Sequence, residues 1–281
     1  MLDAPAAALV QRFTDMDAFS AALLGGTFDF VPLPGARGVS TLRILKVGDL
    51  VLQHADNGRN TARGAMAAGL TAIMLPIRFA GAPARINGVD VANAEALLAP
   101  GGVEFHGHCP ERHAFASLSV PDALLDGWAE VAPMPVRARG EASVLSLPDQ
   151  AAARLSSAIG EAARMTEDMP EALSLPGCAQ GLAMSLREML GSALTAGAAI
   201  RPRPRATREA QRIVRMAEEM LRADPSRPFY REELCAKLGV SLRKLHDAFV
   251  ATTGVSPQTY LKARRLTMAR RALRAAEGRA A

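Results

Sequence analysis

The segment of residues 230–250 constrains the fold of this chain more than any other part of its sequence. Leu234 and Leu238 are four residues apart, so they share one face of a short predicted helix. Gly239 follows where a tight turn favours positive φ, and Ser241 is a good N-cap for a second helix. Two short helices joined by such a turn form the pattern of a helix-turn-helix.

The second predicted helix, residues 241–251, has one apolar face and one polar face. Leu245, Ala248 and Phe249 are expected to pack on the first helix. The opposite side is largely polar or basic, as suits a helix that lies in the major groove of DNA. A helical hairpin in an ordinary all-α subdomain is the alternative, because short motifs also occur by chance. The positions predicted to be exposed are Leu242, Arg243, Lys244, His246 and Asp247.

A longer pattern continues through residues 249–266, with a Phe, a Thr-Gly pair, a Ser-Pro pair, a Tyr and an Arg-rich stretch. This pattern closely resembles the segment that follows the first helix-turn-helix in transcription regulators of the AraC/XylS family. The resemblance covers residues 207–276, including the upstream helix, residues 207–223, and the connection at residues 225–228. It implies that the Ser-Pro pair at Pro257 begins a long connecting helix, since Pro is accepted in a first helical turn.

In that family a second helix-turn-helix follows the connecting helix, and the sequence shows no second unit before Ala281. We therefore expect one unit to bind DNA more weakly than two units and to read a shorter DNA sequence.

The resemblance implies that the helix of residues 241–251 reads base edges in the major groove. Arg243 is the expected base contact, because a guanidinium can bond O6 and N7 of guanine together. His246 and Asp247 are expected to face the same groove. Phosphate contacts, which position a protein without reading sequence, are expected from Ser241, Lys244, Arg264 and Arg265.

The distribution of charge favours a polyanionic partner such as double-stranded DNA. Residues 201–281 contain 19 Lys and Arg against 8 Asp and Glu, a net charge of +11. Residues 1–200 contain 14 against 20, a net charge of −6, and the whole chain carries +5. An acidic body joined to a strongly basic segment is typical of nucleic-acid binding. A solvated, arginine-rich surface is the alternative interpretation of the same charge distribution.

The first 130 residues predict short strands, and with the later helices they indicate an α+β fold. Asn87-Gly88 is a hairpin signal, because both residues tolerate positive φ. A short helix is expected near residues 15–24. Strands separated at this interval by Gly, Pro and Asn are typical of a small barrel or sandwich. The predicted strands are residues 41–47, 50–54, 70–77, 95–98, 103–106 and 113–120.

Two amphipathic helices are predicted after the Pro-rich residues 132–136, at residues 149–167 and 179–195. They are expected either to cap the strands or to pair two subunits. The order of elements is similar to that of AraC-type regulators, which commonly carry an N-terminal cupin-like β-barrel and a dimerisation element. This resemblance implies a small-molecule effector and a homodimer. The expected domains are a sensor barrel at 1–130, a helical hairpin at 131–200, a linker at 201–206 and a DNA-binding domain at 207–281.

His106 and His108 offer a competing interpretation, a metal-dependent enzyme of the cupin type. They are two residues apart, so on a strand they share one face and both can reach a metal ion. The acidic and distant His partners of such a site are not recognisable in the sequence. We therefore expect no metal, no cofactor and no catalytic residue. A third interpretation is an interaction protein that works through the helical pair at residues 149–195.

The sequence also bears on location and on further partners. Its first residues lack the basic start and apolar core of a signal peptide, and no apolar run reaches the length of a membrane span. Cys109, Cys178 and Cys235 are too few and too widely spaced for a disulfide framework or a zinc finger. We expect a cytoplasmic protein that does not bind membranes, with RNA polymerase as a further partner.

Overall fold

The computed structural model describes residues 7–134, 140–224 and 230–280. We call its first part, up to residue 204, the sheet region, and the helices from residue 205 onward the helical region. The predicted α+β fold class is confirmed. The predicted connection at residues 225–228 and the last two residues of the Pro-rich boundary lie outside the described residues.

The strands of the sheet region lie in two antiparallel sheets. In chain order they are β1 (Ala7–Phe13), β2 (Gly26–Pro32), β3 (Ser40–Val47), β4 (Leu50–Asn57), β5 (Asn60–Met66), β6 (Leu70–Phe79), β7 (Ala84–Ile86), β8 (Val89–Val91), β9 (Glu95–Ala99), β10 (Glu104–Cys109), β11 (His113–Pro121), β12 (Ser143–Ser146) and β13 (Ala199–Ile200). The larger sheet has the order β1-β3-β4-β11-β6-β9-β12-β13, and the smaller sheet has the order β2-β5-β10-β7-β8.

The described strands do not close into the predicted barrel but form two open sheets that pack face to face. Phe30 of the smaller sheet and Leu42 of the larger sheet share one buried cluster, and Phe105 and Leu97 share another. The larger sheet ends at β1 and β13, and the smaller sheet ends at β2 and β8. No continuous ladder of described strands therefore encircles the space between them.

The six predicted strands correspond to β3, β4, β6, β9, β10 and β11. The predicted hairpin is also confirmed, since Asn87 (φ 49°) and Gly88 (φ 76°) join β7 to β8. The sequence did not predict β1, β2, β5, β7, β8, β12 and β13, and four of these have only two to four residues. In β5, Gly64 leaves room for the rings of Phe28 and Phe105, with which a Cβ at this position would collide.

The helices of the sheet region are α1 (Met16–Ala22), α2 (Asp122–Val131), α3 (Asp149–Asp168), α4 (Pro170–Leu173) and α5 (Pro176–Thr195). The predicted helical pair, α3 and α5, packs on the larger sheet. Leu155 and Ile159 of α3 and Leu186 and Leu190 of α5 are fully buried in one cluster with strand residues. Of the two predicted roles for the pair, capping is observed. The predicted hairpin span also contains β12, the one-turn α4 and β13, which the sequence did not predict.

The helical region consists of α6 (Arg205–Ala223), α7 (Arg231–Leu238), α8 (Leu242–Thr253) and α9 (Pro257–Ala280). Gly239 ends α7 with φ 64°, and Ser241 Oγ accepts a hydrogen bond from Lys244 N at 3.2 Å where α8 begins. Leu234 and Phe249 are buried between the helices. The predicted helix-turn-helix geometry is therefore confirmed. None of the described helices combines the length and the apolar composition that crossing a membrane requires.

Gly239→Ala and Gly160→Ala are expected to change stability in opposite directions. A Cβ meets no atom within 4 Å at either position, so crowding does not distinguish them. Gly239 has φ 64°, a conformation that costs an L-residue about 1 kcal/mol. Gly160 lies inside α3, where alanine stabilises a helix by about 0.5–1 kcal/mol. Urea unfolding followed by circular dichroism measures both changes, and a loss of equal size in the two variants would contradict this account.

Candidate nucleic-acid interface

The N-terminal half of α8 presents the side chains predicted to read DNA. Arg243 and Asp247 are exposed over 92% and 66% of their side chains, with Arg243 Nε 3.7 Å from Asp247 Oδ2. His246 is exposed beside them, whereas Leu245 and Ala248 on the opposite face are buried. The predicted division of α8 into two faces is confirmed, and the base contacts themselves stay predictions.

The ammonium group of Lys244 and the guanidinium group of Arg212 lie close to the beginning of α8. Lys244 Nζ lies 3.3 Å from Glu209 Oε1 of α6, and Arg212 donates to both oxygens of the same carboxylate at 3.1 and 3.2 Å. Hydrogen bonds from Arg212 and Lys244 lower the pKa of Glu209 to about 2. The free backbone N–H groups of a helix N-terminus also attract anions. Ser241 and Lys244 therefore stand where a phosphate can approach.

The C-terminal half of α8 is docked on the smaller sheet. Arg85 of β7 donates to the carbonyl oxygen of Ala251 at 3.2 Å. Gly254 ends α8 with φ 70°, and the His108 imidazole of β10 lies so close that a Cβ at position 254 would overlap the ring. The sheet thus covers one end of α8 and leaves its other end open.

Arg264 of α9 is buried at the contact between the two regions. Its guanidinium bonds Asp29 of β2 and Glu218 of α6, and the Tyr260 hydroxyl donates to the same Glu218 carboxylate. Burial lowers the pKa of Arg264, but the neighbouring Tyr260, Glu218 and Asp29 outweigh burial and raise it. We therefore do not include Arg264 among the proposed phosphate contacts. Its guanidinium is already bonded, and only 9% of the side chain is exposed.

Further arginines of α9 extend this contact along the sheet region. The pairs are Arg270 with Asp15 and Asp17, Arg271 with Asp17 and Asp29, and Arg274 with Asp15. The basic charge that the sequence assigned to DNA is thus partly neutralised inside the chain. Arg265 is partly buried on the same helix, and its predicted phosphate contact stays a prediction.

The sequence analysis did not predict the carboxylates that pair with the arginines of α9. Asp15, Asp17 and Asp29 lie more than 200 residues from their partners on α9, and no local pattern links them. Glu218 did carry a signal, because it interrupts the apolar face of α6 and is 1% exposed. A carboxylate at a core position of an amphipathic helix indicates a buried cationic partner.

The histidines of the predicted cluster divide between two places. His106 and His108 share the outer face of β10, as their spacing predicted, and lie beside the helical region. His113 instead faces the space between the two sheets. Burial lowers the pKa of His106 and His108, that of His108 to about 4. Within the described part of the chain, no three His, Cys, Asp or Glu side chains are grouped to hold a metal ion.

An apolar cavity of about 90 Å³ lies between the two sheets. His113 Nδ1 is 3.2 Å from the Glu111 carbonyl oxygen, which leaves Nε2 for another partner. Asn60 Oδ1 is buried and has no hydrogen-bond partner among the described residues. The cavity can thus hold a small, mainly apolar molecule with one polar group. Its apolar walls include Phe28, Phe30, Phe79, Phe105, Phe115, Met74, Ile86 and Leu97.

Comparison with known proteins gives distant similarities. This chain is similar to AraC-like transcriptional activators. The AraC-like activator CuxR shares 17% identity over 94% of this chain and 95% of its own, with a TM-score of 0.46. ToxT from Vibrio cholerae O395 shares 9% identity over 87% of this chain and 80% of its own, with a TM-score of 0.27. No protein-family model matches the chain.

Asp29→Asn is expected to weaken the contact between α9 and the sheet region. Burial raises the pKa of Asp29, but Arg264 and Arg271 outweigh burial and hold it below its usual value of 3.8. The stabilisation by this carboxylate is therefore complete above about pH 4 and is lost as pH falls through the lowered pKa. The variant lacks it throughout, a loss of about 1–3 kcal/mol at pH 7.

Hydrogen exchange of the α9 amides between pH 3 and 7 measures this loss. Asp168→Asn, which removes an exposed carboxylate at the end of α3, is the matched control. Equal α9 protection in Asp29→Asn and the control at pH 7 would contradict a stabilising role for this carboxylate.

Proposed function

We propose that this chain is a ligand-responsive transcription regulator of the AraC type that reads the DNA major groove with α8. The observation that carries the proposal is the division of α8 into a buried apolar face and an exposed face with Arg243, His246 and Asp247. A recognition helix needs that division, because one side must pack on its own domain while the other enters the groove.

The side chains at the exposed N-terminal end of α8 have different roles in this proposal. Arg243 has an exposed guanidinium that can bond guanine bidentately, and Asp247 lies close enough to orient it. His246 contributes to the same base-reading face. Ser241 and Lys244 contact phosphates at the helix N-terminus, where the helix dipole adds to the charge of the lysine.

The cavity between the sheets is the proposed effector site. Its apolar walls favour a small apolar effector, and His113 and Asn60 supply a donor or acceptor for one polar group. An apolar cavity of this kind stabilises its ligand mainly through burial of apolar surface. Filling it rigidifies both sheets, including β10, on which α8 is docked.

The remaining partners follow from the same proposal. We infer a homodimer, contact with RNA polymerase, a place in the cytoplasm with the DNA, and no enzymatic role. The competing metal-dependent enzyme gains no support from the histidines, because His106 and His108 face the helical region while His113 faces the cavity.

Selection of bound DNA from a random pool at moderate salt tests the proposal. We expect an enriched motif for the natural chain and a relaxed preference at one base pair for Arg243→Ala, with an affinity loss of about 1–3 kcal/mol. Lys244→Ala is expected to weaken binding to all sequences and to reduce the slope of affinity against salt by about 1.

Arg154→Ala is the matched control, since it removes an exposed arginine from α3 in the sheet region. The control should retain both the motif and the affinity. Absence of an enriched motif with the natural chain, or an equal loss in Arg154→Ala and Arg243→Ala, would contradict DNA reading by α8.

A further inference from the structure

A second, polar cleft lies between α6 and the outer face of the smaller sheet. Its volume is about 200 Å³, and it is separate from the apolar cavity because β10 stands between them. The cleft is lined by Asn87, Glu104, His106, Glu141, Ala142, Arg203, Arg208, Gln211, Arg212 and Arg215. Four guanidinium groups and two carboxylates line the cleft, so its positive charges outnumber its negative charges.

Three of these arginines are arranged along one face of α6. Arg208, Arg212 and Arg215 are separated by four and three residues, so their side chains follow one another along the helix. Arg208 has no carboxylate partner in the described part of the chain and bonds only the Arg203 carbonyl oxygen, at 3.1 Å. Arg215 is held loosely, with Nε 3.7 Å from Glu219 Oε1. Both guanidinium groups are available to an anion.

Hydrogen bonds of Asn87 at the floor of the cleft join the two regions. Asn87 Oδ1 accepts hydrogen bonds from Gln211 Nε2 at 2.7 Å and from His106 N at 2.9 Å. Asn87 Nδ2 donates to the Ala142 carbonyl oxygen at 3.0 Å. The hairpin residue recognised in the sequence thus fixes α6 against β10 directly beneath the arginines.

We propose that this cleft binds a small molecule that carries phosphate groups, such as a nucleotide or a sugar phosphate. A planar guanidinium group can form two parallel hydrogen bonds to the oxygens of one phosphate group. The cleft therefore suits a phosphorylated ligand better than a neutral one. The polar floor, with Gln211 and the His106 imidazole, offers groups for the unphosphorylated part of the ligand. A DNA duplex is disfavoured, because Glu104 and Glu141 line the same cleft and the sheet closes one side of it.

A ligand in this cleft would also regulate the protein, an inference that rests on the proposed DNA-binding function. It would bond α6 from one side and the sheet region from the other, so it would stabilise the docked arrangement of the two regions. A ligand that prefers one arrangement shifts the population toward it in proportion to the difference in its affinities. DNA affinity is then coupled to the concentration of the phosphorylated ligand.

Isothermal titration of the full chain with inorganic pyrophosphate at constant ionic strength tests the site. We expect saturable binding and a loss of affinity of about tenfold or more in Arg208→Ala/Arg215→Ala, since each bond to a charged group is worth a factor of that order. Arg154→Ala/Arg164→Ala, which removes two exposed arginines of α3, is the matched control and should bind as the natural chain does.

Glu141→Gln is an independent test, because this variant should raise the affinity for pyrophosphate instead of lowering it. It frees Arg203 from its ion pair and removes a negative charge from the cleft, so pyrophosphate should bind about threefold more tightly. Titrations with a nucleoside diphosphate and with a hexose phosphate distinguish the two ligand sources by which binds more tightly than pyrophosphate.

Pyrophosphate binding that is undetectable in the natural chain, or weakened equally by both double variants, would overturn the proposed site. These titrations contain no DNA, so their failure leaves the selection experiment on α8 unaffected. Conversely, saturable pyrophosphate binding without an enriched DNA motif would retain the cleft as a ligand site and remove its regulatory role.

Discussion

The buried guanidinium of Arg264 is the constraint on which the arrangement of this protein depends. A buried charge is costly by several kcal/mol unless charged and hydrogen-bonded partners surround it. Here the partners come from three separate elements, Asp29 of β2, Glu218 of α6 and Tyr260 of α9 itself, whose ring centroid lies 5.7 Å from the guanidinium carbon. Because its carboxylate partners belong to β2 and α6, Arg264 links the helical region to the sheet region at a defined place.

That position explains how α8 contacts the sheet region at one end and remains exposed at the other. The end of α8 near Gly254 rests on His108, while Arg243 at the other end remains exposed. Strand β10 is the element that connects these features. Phe105 and Gly107 face the apolar cavity, and His106 faces the polar cleft on the opposite side. The apolar cavity and the polar cleft therefore both border the strand whose His108 contacts the end of α8.

Local chemistry made the helical region predictable and left the sheet region only partly so. Gly239 and Ser241 act through their own backbone and immediate neighbours, so the turn and the start of α8 followed from the sequence. Strand β5 did not, because Gly64 is explained only by aromatic rings from β2 and β10. The sequence analysis assigned Arg264 to a phosphate contact because the local sequence does not reveal its carboxylate partner. Its partner Asp29 is 235 residues away, and only the folded chain brings the two together.

The coupling between Asp29 and Arg264 in DNA affinity tests the account most directly. The measurement is a double-mutant cycle of Asp29→Asn and Arg264→Gln, read as affinity for the selected DNA sequence at fixed salt. The account predicts non-additive effects, with a coupling of about 1 kcal/mol or more, because both substitutions break the same contact between the sheet region and the helical region. Strictly additive effects on DNA affinity would show that this contact does not link the two regions functionally and would contradict the account.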